Sequence, residues 1–311
     1  MPHRTGICEK TENAVHRHRY RCGGPGGKEN GEDGMERKLK VTVLADNHQK
    51  GNCGCEHGLS VYLEYGENTI LLDAGRSALF AENAEKLGVD LRKVNAAVLS
   101  HSHYDHADGL ETFFEMNSTA KLYLRQESGE HYYSLHADDG MMYIGPKKGI
   151  LGRYRDRLVY VKEHVSGLGM DGVVLLSHST PGLEKIGEKA KMFRRMGERM
   201  KADDFSHEQS LLFYVSDGMV IFNSCSHGGA ANIIREVREY DPETPILAYI
   251  GGFHLFRSSD EDVRRFGETL LDVKVQRIIT GHCTGDRAYE ILHEMLGERA
   301  EEMYAGMRLE F

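Results

Sequence analysis

The sequence has 311 residues, 40% of them hydrophobic, so the chain is long enough for one large domain or two small ones with a substantial core. Its formal net charge of −9 at pH 7 disfavours nucleic acid as the main partner, because binding to a phosphate backbone requires a basic face. No apolar run reaches the roughly 18 residues of a membrane span, no signal peptide is evident, and the six scattered cysteines indicate reduced thiols in a cytoplasmic protein.

Residues 1–34 do not have the composition of a folded domain. They contain Gly-rich and charged clusters, such as residues 23–27 and 29–34, and almost no apolar periodicity. A segment of this kind cannot bury a core. We therefore predict a disordered N-terminal extension over residues 1–34 and one catalytic domain over residues 35–311.

From Lys38 onward the apolar pattern predicts an α/β fold. Apolar alternation predicts strands, and amphipathic periodicity predicts helices. The predicted strands are residues 39–45, 59–65, 69–73, 94–99, 121–124, 157–161, 172–177, 211–215, 219–223, 246–250, 275–280 and 307–311. The predicted helices are residues 76–87, 230–240, 259–271 and 286–296, with a charged helix or lid at 185–201 and a Gly- and Tyr-rich loop at 127–152. Two β-rich halves with helices outside predict a four-layer αββα sandwich.

A dense cluster of metal-ligand residue types directly follows the strand at residues 94–99. Within six residues the chain has His101, His103, Asp105 and His106. Side chains alternate along an extended chain, so the strand end can aim both His101 and His103 to one side. The following turn can bring the other two residues to a second metal. Imidazole and carboxylate ligands suit borderline divalent metals such as zinc.

Three later turns repeat one format, in which an apolar strand is followed by a histidine in a Gly-containing turn and then by a helix. These turns contain His227, His254 and His282. In an αβ-layered fold the ends of such strands meet at one rim. We therefore expect at least two of these histidines to be metal ligands.

The segments CEHGLS, LLDAG, SHSHYDHADGL, DDFSHEQSL, CSHGG, GGFHL and GHCTG together resemble a subgroup of the metallo-β-lactamase superfamily. That subgroup includes enzymes of the dihydropterin ribofuranosylaminobenzene phosphate synthase type. The resemblance runs from about Leu39 to Phe311. It implies the αββα fold with two divalent metal ions at one edge between the sheets, zinc in the first place and Mn, Fe or Ni as alternatives. The implied metal ligands are His101, His103, Asp105, His106, His227 and His282.

The chain departs from the usual superfamily pattern in two places. Most members have an Asp that bridges both metals where this chain has Cys225. The segment that usually supplies two further histidines aligns with residues 203–211, which lack the first of them. The resemblance therefore leaves the bridge and the third ligand of the first metal open. His227 is the first candidate for the third ligand. The weaker candidates for metal or substrate contact are Asp204, His207, Cys225 and His254.

Helix starts near these turns bear on the charge of the substrate. Gly228 and Gly229 precede one predicted helix, and Thr284 and Gly285 precede another. Free amides at helix N-termini attract anions such as phosphate, so we expect an anion or substrate site there. The alternative is that glycine begins these helices for steric reasons.

Catalytic candidates lie in the loop between the first two predicted strands. In this fold that loop would overhang the metals, where Glu56 and His57 could position or protonate a substrate. The alternative is an ordinary surface loop. Asp105 is the third catalytic candidate, and we expect Asp73 to orient a metal ligand by a hydrogen bond.

These features predict a metal-dependent enzyme that acts on an anionic, phosphorylated small molecule, as a hydrolase or as a dihydropterin-type synthase. Two cations can lower the pKa of bound water, orient the substrate and hold leaving-group charge. One alternative is a hydrolase of a lactone, thioester or other ester. The other is a non-catalytic metal-binding regulatory protein. The sequence leaves the oligomeric state and the physiological substrate open.

Overall fold

The computed structural model describes residues 37–311, so the predicted extension over residues 1–34 lies outside the described residues. The strands are, in chain order, β1 (Leu39–Ala45), β2 (Ser60–Tyr65), β3 (Asn68–Leu72), β4 (Ala96–Val98), β5 (Lys121–Arg125), β6 (Tyr132–His136), β7 (Gly140–Tyr143), β8 (Leu158–Val161), β9 (Val165–Gly167), β10 (Val173–Ser177), β11 (Met192–Met196), β12 (Arg199–Ala202), β13 (Gln209–Val215), β14 (Gly218–Phe222), β15 (Ile246–Ile250), β16 (Arg277–Thr280), β17 (Ala300–Glu302) and β18 (Arg308–Glu310). The α-helices are α1 (Leu79–Lys86), α2 (Tyr104–Ala107), α3 (Leu110–Met116), α4 (Ile150–Arg153), α5 (Glu184–Ala190), α6 (Ala230–Tyr240), α7 (Asp260–Asp272) and α8 (Asp286–Leu296). No helix within residues 37–311 has the length and apolarity that would let it cross a membrane.

Two seven-stranded sheets pack face to face and carry helices on their outer faces. The first sheet has the order β18-β1-β2-β3-β4-β5-β8, and the second has the order β17-β16-β15-β14-β13-β10-β9. One buried cluster, which includes Val43 and Phe222, lies between the sheets. A second cluster packs α6, α7 and α8 on the second sheet, and a third packs α1 and α3 on the first. These layers confirm the predicted four-layer αββα sandwich.

Several chain segments with polar side chains leave the two sheets at one edge. Strand β3 runs parallel to β4 in the first sheet, and β14, β15 and β16 run parallel to one another in the second. Parallel strands release their following loops at the same edge. Gln209 joins the sheets there, because its backbone amide donates to the Ser100 carbonyl (2.8 Å) and its side-chain amide donates to the Leu99 carbonyl (2.9 Å). The histidine-bearing turns therefore gather where the two sheets meet.

The prediction of a helix or lid over residues 185–201 is wrong for the second half of that segment. Helix α5 ends at Ala190, and Lys191 adopts a left-handed backbone conformation with φ of 57°. The chain then forms the β11–β12 hairpin. The predicted loop over residues 127–152 likewise contains β6 and β7, which join β11 and β12 in a four-stranded sheet. Many side chains of this sheet are partly or fully exposed, so its strands lack the apolar alternation that identifies a half-buried strand.

Candidate metal centre

Four donor atoms converge where the turn after β4 meets the turns after β14 and β16. The Nε2 atom of His106 lies 3.2 Å from Nε2 of His282 and 3.2 Å from Sγ of Cys225. The Oδ2 atom of Asp105 lies 3.7 Å from His106 Nε2 and 3.4 Å from His282 Nε2. Metal–nitrogen bonds of about 2.0–2.1 Å give a tetrahedron with edges of about 3.3–3.4 Å. The His106 and His282 nitrogens and the Asp105 oxygen have about this spacing, and the Cys225 sulfur lies beside His106. We call these four donors the Asp105 half.

A second donor group lies beside the first one, and we call it the His103 half. The Nε2 atoms of His101 and His227 are 3.2 Å apart. The ring centroid of His103 lies 4.5 Å from that of His101 and 4.7 Å from that of His227. Its buried Nε2 atom has no hydrogen-bond partner among the described residues. A buried polar atom without a partner is costly, so this nitrogen has the environment of a metal ligand.

Cys225 belongs to both halves. Its Sγ lies within 4.8 Å of donor atoms of His101 and His227, and also within 4.8 Å of donor atoms of His106 and His282. The side chain is buried. The sequence identified this residue only as a weaker candidate, because its shared position depends on how the two sheets meet.

Hydrogen bonds behind the histidines fix which ring nitrogen faces the metal site. Asp73 accepts from the Ser100 backbone amide (2.7 Å) and from Nδ1 of His106 (2.8 Å), which leaves His106 Nε2 for the metal. Asn47 accepts from Nδ1 of His282 (3.0 Å) with the same consequence. The expected orienting role of Asp73 agrees with these contacts. The role of Asn47 was not identified from the sequence, because a lone Asn in a loop has no distinguishing pattern.

Strained backbone conformations cluster at the same edge. Asp73, Ser226, His254 and His282 all have φ between 47° and 58°. Left-handed conformations of residues other than glycine each cost on the order of 1–3 kcal/mol and concentrate at functional sites. The fold therefore holds these four turns in conformations that their own sequences would not select.

Burial keeps the histidines of the His103 half neutral. Burial, followed by the neighbouring His106 and His103, holds the pKa of His101 well below its usual range. Burial also lowers the pKa of His103 to about 3 and holds that of His227 well below normal. Neutral imidazole is the form that binds metals. These rings are therefore ready to act as ligands near neutral pH.

The Asp105 half has a different charge balance. Burial opposes ionisation of Asp105, but His106 and hydrogen bonds from His282 and His57 hold the pKa of its carboxyl well below the usual range. Burial alone would lower the pKa of His282, yet the hydrogen bond to Asp105 and the nearby Cys283 raise it to about 9. This half therefore contains an ionised carboxylate, and a bound cation would compete with the proton on His282.

Comparisons with known proteins show which proteins this chain resembles. Residues 53–184 match the sequence profile of the metallo-beta-lactamase superfamily. Residues 53–184 therefore belong to a metallo-β-lactamase superfamily domain. Similarity to individual relatives extends beyond residues 53–184 and covers most of the chain.

One curated relative is the 7,8-dihydropterin-6-methyl-4-(beta-D-ribofuranosyl)-aminobenzene-5'-phosphate synthase of Methanocaldococcus jannaschii. It is 26% identical over 301 residues, which cover 88% of this chain and 97% of the relative. A second similar protein is Tm1679, whose crystal structure is described as that of a metal-dependent hydrolase of the beta-lactamase superfamily. Its sequence is 29% identical, and the two structures superpose with a TM-score of 0.76 over 87% of this chain and 98% of the Tm1679 chain. YhfI of Bacillus subtilis, a metallo-beta-lactamase fold protein, is 12% identical with a TM-score of 0.56 over 88% of this chain and all of its own, and shows the fold alone.

The loop between β1 and β2 overhangs the metal centre, as the superfamily resemblance implied. The Nε2 atom of His57 lies 3.3 Å from Asp105 Oδ2, and its ring stacks on that of His282 with centroids 5.0 Å apart. The side chain of His57 is 48% exposed, so it stands at the mouth of the site.

The carboxylate of Glu56 is bonded to the turn that follows β3. One oxygen of its carboxylate accepts from the backbone amides of Arg76 (3.0 Å) and Ser77 (3.2 Å), and the other accepts from the Ser77 hydroxyl. Both oxygens are therefore used to anchor the turn that follows β3. The carboxylate of Glu56 is thus a structural acceptor, and its catalytic role stays a prediction.

The amides of the turn after β14 already bind an anion from the chain itself. The carboxylate of Glu208 accepts from the backbone amides of His227 and Gly228, each at 2.9 Å. Behind it, His178 lies between Glu208 (2.7 Å) and Glu236 (3.0 Å). We call His178, Glu208 and Glu236 the buried triad. The sequence does not indicate which carboxylates surround His178.

Most backbone amides at the predicted anion site make hydrogen bonds within the chain. The Gly228 amide is bonded to Glu208, and the Gly229 amide donates to the Ser226 carbonyl (2.9 Å). The Thr284 amide donates to the Gly281 carbonyl (2.9 Å). Gly285 adopts φ of 80° before α8, and a Cβ atom there would approach Phe256 to 2.8 Å, so its role is steric. These contacts within the turns are what the steric explanation for the glycines predicts.

Two weaker candidates from the segment that usually supplies a superfamily ligand are used by the fold. Nδ1 of His207 accepts from the Ser102 amide (2.9 Å), and its Nε2 donates to Asp203 (3.1 Å). Asp204 pairs with Arg194 (2.5 Å). Both ring nitrogens of His207 therefore make hydrogen bonds within the fold. His207 also lies in a group of possible metal donors with His103 and Asp203, so its candidate role, like that of Asp204, stays a prediction.

His254 is brought to the centre. Its ring centroid lies 4.4 Å from that of His227, and its buried Nδ1 atom has no hydrogen-bond partner among the described residues. The ring of Phe256 lies edge-on to it at 5.1 Å and is 50% exposed. His254 therefore remains a candidate for metal or substrate contact beside the His103 half.

Proposed function

We propose that this protein is a dinuclear metal-dependent enzyme, most readily loaded with zinc, that acts on a phosphorylated small molecule. The observation that carries the proposal is the convergence of donor atoms of His106, His282, Asp105 and Cys225. The His103 half lies directly beside that group. Bound divalent cations would activate water and stabilise negative charge on the leaving group.

His57 is the proposed proton donor of the reaction. It stands at the mouth of the site, and Asn47 donates to its Nδ1 atom (3.3 Å), so its Nε2–H points towards Asp105. A proton at Nε2 can pass to the oxygen of a leaving group that enters the same space. Asp105 would hold the ring in this orientation. A positioned acid of this kind typically contributes about 10²–10⁴-fold in rate.

The proposed contact for substrate phosphate is Arg76, in place of the helix starts that the sequence suggested. Arg76 is exposed, and its guanidinium lies 5.4 Å from the ring centroid of Tyr104. That ring lies 6.5 Å from the ring of His57. The guanidinium is a planar, permanently charged donor that suits phosphate oxygens. A phosphate group at the mouth of the metal centre would therefore find Arg76 on one wall.

A synthase of the dihydropterin type is the second candidate. It is favoured by the similarity to the archaeal synthase over most of both chains. In that case the same pocket would hold a diphosphate leaving group while an aromatic ring or amine of a second substrate attacks. The half-exposed ring of Phe256 offers an apolar face for a flat ring.

The test is a substrate panel with zinc-loaded protein. The panel contains phosphomonoesters, phosphodiesters, a pterin diphosphate with and without an aminobenzene acceptor, a neutral lactone and a thioester. We expect turnover of a phosphorylated compound and competitive inhibition by inorganic phosphate. Arg76→Ala should raise the inhibition constant for phosphate roughly tenfold, equivalent to about 1.4 kcal/mol. Arg155→Ala, which removes an exposed arginine elsewhere, should leave it unchanged.

Other results of the substrate panel would favour one of the alternative functions. Turnover of the lactone or thioester without inhibition by phosphate would replace the proposal with a generic ester hydrolase. Turnover of the pterin diphosphate only with the acceptor present would favour the synthase. Tightly held metal without turnover of any compound would favour a regulatory metal-binding protein, because a structural site is closed to substrate.

A further inference from the structure

The thiol of Cys225 occupies the boundary between the two donor groups. It lies 3.2 Å from Nε2 of His106 in the Asp105 half. It also lies within 4.8 Å of the donor atoms of His101 and His227 in the His103 half. Among the groups of donors that the described residues form, these two halves share Cys225 and no other residue.

The turn that carries Cys225 is fixed on both sides of the residue. The Ser226 amide donates to the Asn223 side chain (2.7 Å), and the Ser226 hydroxyl donates to the Gly252 carbonyl (2.8 Å). The Gly252 amide donates to the Ser224 carbonyl (2.9 Å). Gly251 has φ of 138°, and a Cβ atom there would approach the Asn223 carbonyl oxygen to 2.0 Å. This close contact between neighbouring strand ends holds the thiol in place, so its position does not depend on a mobile loop.

We propose that the Cys225 thiolate is the ligand shared by both metal ions, and that it makes the centre prefer borderline ions such as zinc and cobalt over hard ions such as manganese and magnesium. The proposal rests on the dinuclear centre proposed above. Ion binding would release the thiol proton to solvent and leave the sulfur electron pairs to bind the two ions. Thiolate favours softer ions, whereas carboxylate suits manganese and magnesium.

Cys283 provides a matched control, because it is a buried thiol in the neighbouring turn. Its Sγ donates to the Cys225 backbone carbonyl (3.6 Å) and lies against the backbone of Gly252. Within the described residues, Cys283 is not in any group of convergent donors. Replacing it changes the number of thiols near the centre without removing the shared donor.

The experiment is a cobalt titration of the metal-free full chain, followed by the near-ultraviolet thiolate-to-cobalt charge-transfer band. In the unchanged protein the band should grow through about two equivalents, because each ion binds the same thiolate. Cys225→Asp should bind about two equivalents without the band, since a carboxylate can bridge but does not give this transition. Cys283→Ser should keep the band through both equivalents. Circular dichroism checks that each variant is folded.

Each other result has a defined meaning. A band that stops growing at one equivalent, or that persists in Cys225→Asp, overturns the shared thiolate. Two bound equivalents without any band overturn it too, but leave the dinuclear enzyme standing. Absence of cobalt binding in the unchanged protein overturns both. If Cys225→Asp does not fold, Cys225→Ser serves in its place, with loss of the band as the expected result.

A competition between zinc and manganese tests the preference separately. We expect the ratio of zinc to manganese affinity to fall at least tenfold in Cys225→Asp, and to stay unchanged in Cys283→Ser. An unchanged ratio in Cys225→Asp would show that the thiolate does not select the metal, whatever the cobalt spectrum shows.

Discussion

Among individual residues, hydrogen bonds within the fold determine which ring nitrogen of a histidine faces the metal site. His106 donates from Nδ1 to the buried carboxylate of Asp73 and keeps Nε2 free, whereas His207 has both nitrogens engaged. Orienting carboxylates of this kind typically change metal affinity by about 10–100-fold when they are replaced.

We therefore expect Asp73→Asn to weaken binding of one of the two metal ions by about 10–100-fold, because an amide cannot support the imidazole as a carboxylate does. Competition with a chromophoric chelator measures this affinity. Asp90→Asn, which alters an exposed carboxylate paired with Arg92, is the control and should match the unchanged protein. Equal affinity in both variants would show that Asp73 does not support the metal ligand.

His57→Gln should lower the catalytic rate by about 10²–10⁴-fold while leaving the metal content unchanged, because the side chain is proposed to donate a proton at the mouth of the site. Elemental analysis and kinetics measure the two effects. His131→Gln, beside Tyr132 and outside the donor groups, is the control. Loss of one metal ion in His57→Gln would instead make His57 a ligand.

Site residues that are close together in the sequence could be predicted, whereas contacts between residues far apart in the sequence could not. The short spacing of His101, His103, Asp105 and His106 predicted a metal cluster that the structure brings together. The engagement of His207 with Ser102 could not be predicted, because the two residues are 105 positions apart. The same holds for Glu56, since no local pattern shows that the amides of the turn after β3 would use its carboxylate.

Among the elements, the buried triad ties β10, α6 and the turn after β14 together. His178 follows β10, Glu236 belongs to α6, and Glu208 accepts from the turn that carries His227. Burial would lower the pKa of His178, but the two carboxylates raise it to about 9. Burial would raise the pKa of Glu236, but His178 and Thr180 hold it well below its usual range.

The triad predicts a specific dependence of stability on pH. A histidine whose pKa rises from 6.5 to about 9 on folding stabilises the protein fully below pH 6.5, and this stabilisation, about 3 kcal/mol, is lost as the pH rises towards 9. Glu236, whose pKa is lowered on folding, stabilises the protein above pH 4.5, and this stabilisation is lost as the pH falls below that value. Urea unfolding of metal-free protein between pH 6.5 and 9 measures the first effect.

Glu236→Gln should reduce this loss of stability between pH 6.5 and 9 by roughly half, because His178 then keeps one carboxylate of two. It should also lower the free energy of unfolding at pH 6.5 by about 3 kcal/mol, as removal of one partner from a buried pair does. Glu239→Gln, an exposed position on the same helix, is the matched control. The same pH dependence in both variants would contradict the triad.

The elements that the sequence predicted well are those with one buried face. Helices α6, α7 and α8 have a buried stripe on the second sheet and were predicted to within a residue or two. Strands β11 and β12 were missed because they have several exposed charged side chains, so their sequence lacks a period-two apolar pattern.

For the whole molecule, the metal centre is assembled from both sheets, so it requires the complete sandwich. The donors named for the proposed centre all lie within residues 37–311. The composition of residues 1–34 cannot bury a core. We expect a chain that begins at Met35 to fold and to retain its metal, as measured by circular dichroism and elemental analysis. Loss of solubility or metal in the shortened chain, with the full chain as control, would contradict this prediction.

The central claim is that donors far apart in the sequence hold two metal ions in one centre. Elemental analysis of the reconstituted full chain and of four single variants tests it most directly. We predict about two ions per chain in the unchanged protein and in His131→Ala. We predict about one ion fewer in each of His103→Ala, His227→Ala and His282→Ala. Full occupancy in His282→Ala, or an equal loss in His131→Ala, would contradict the account.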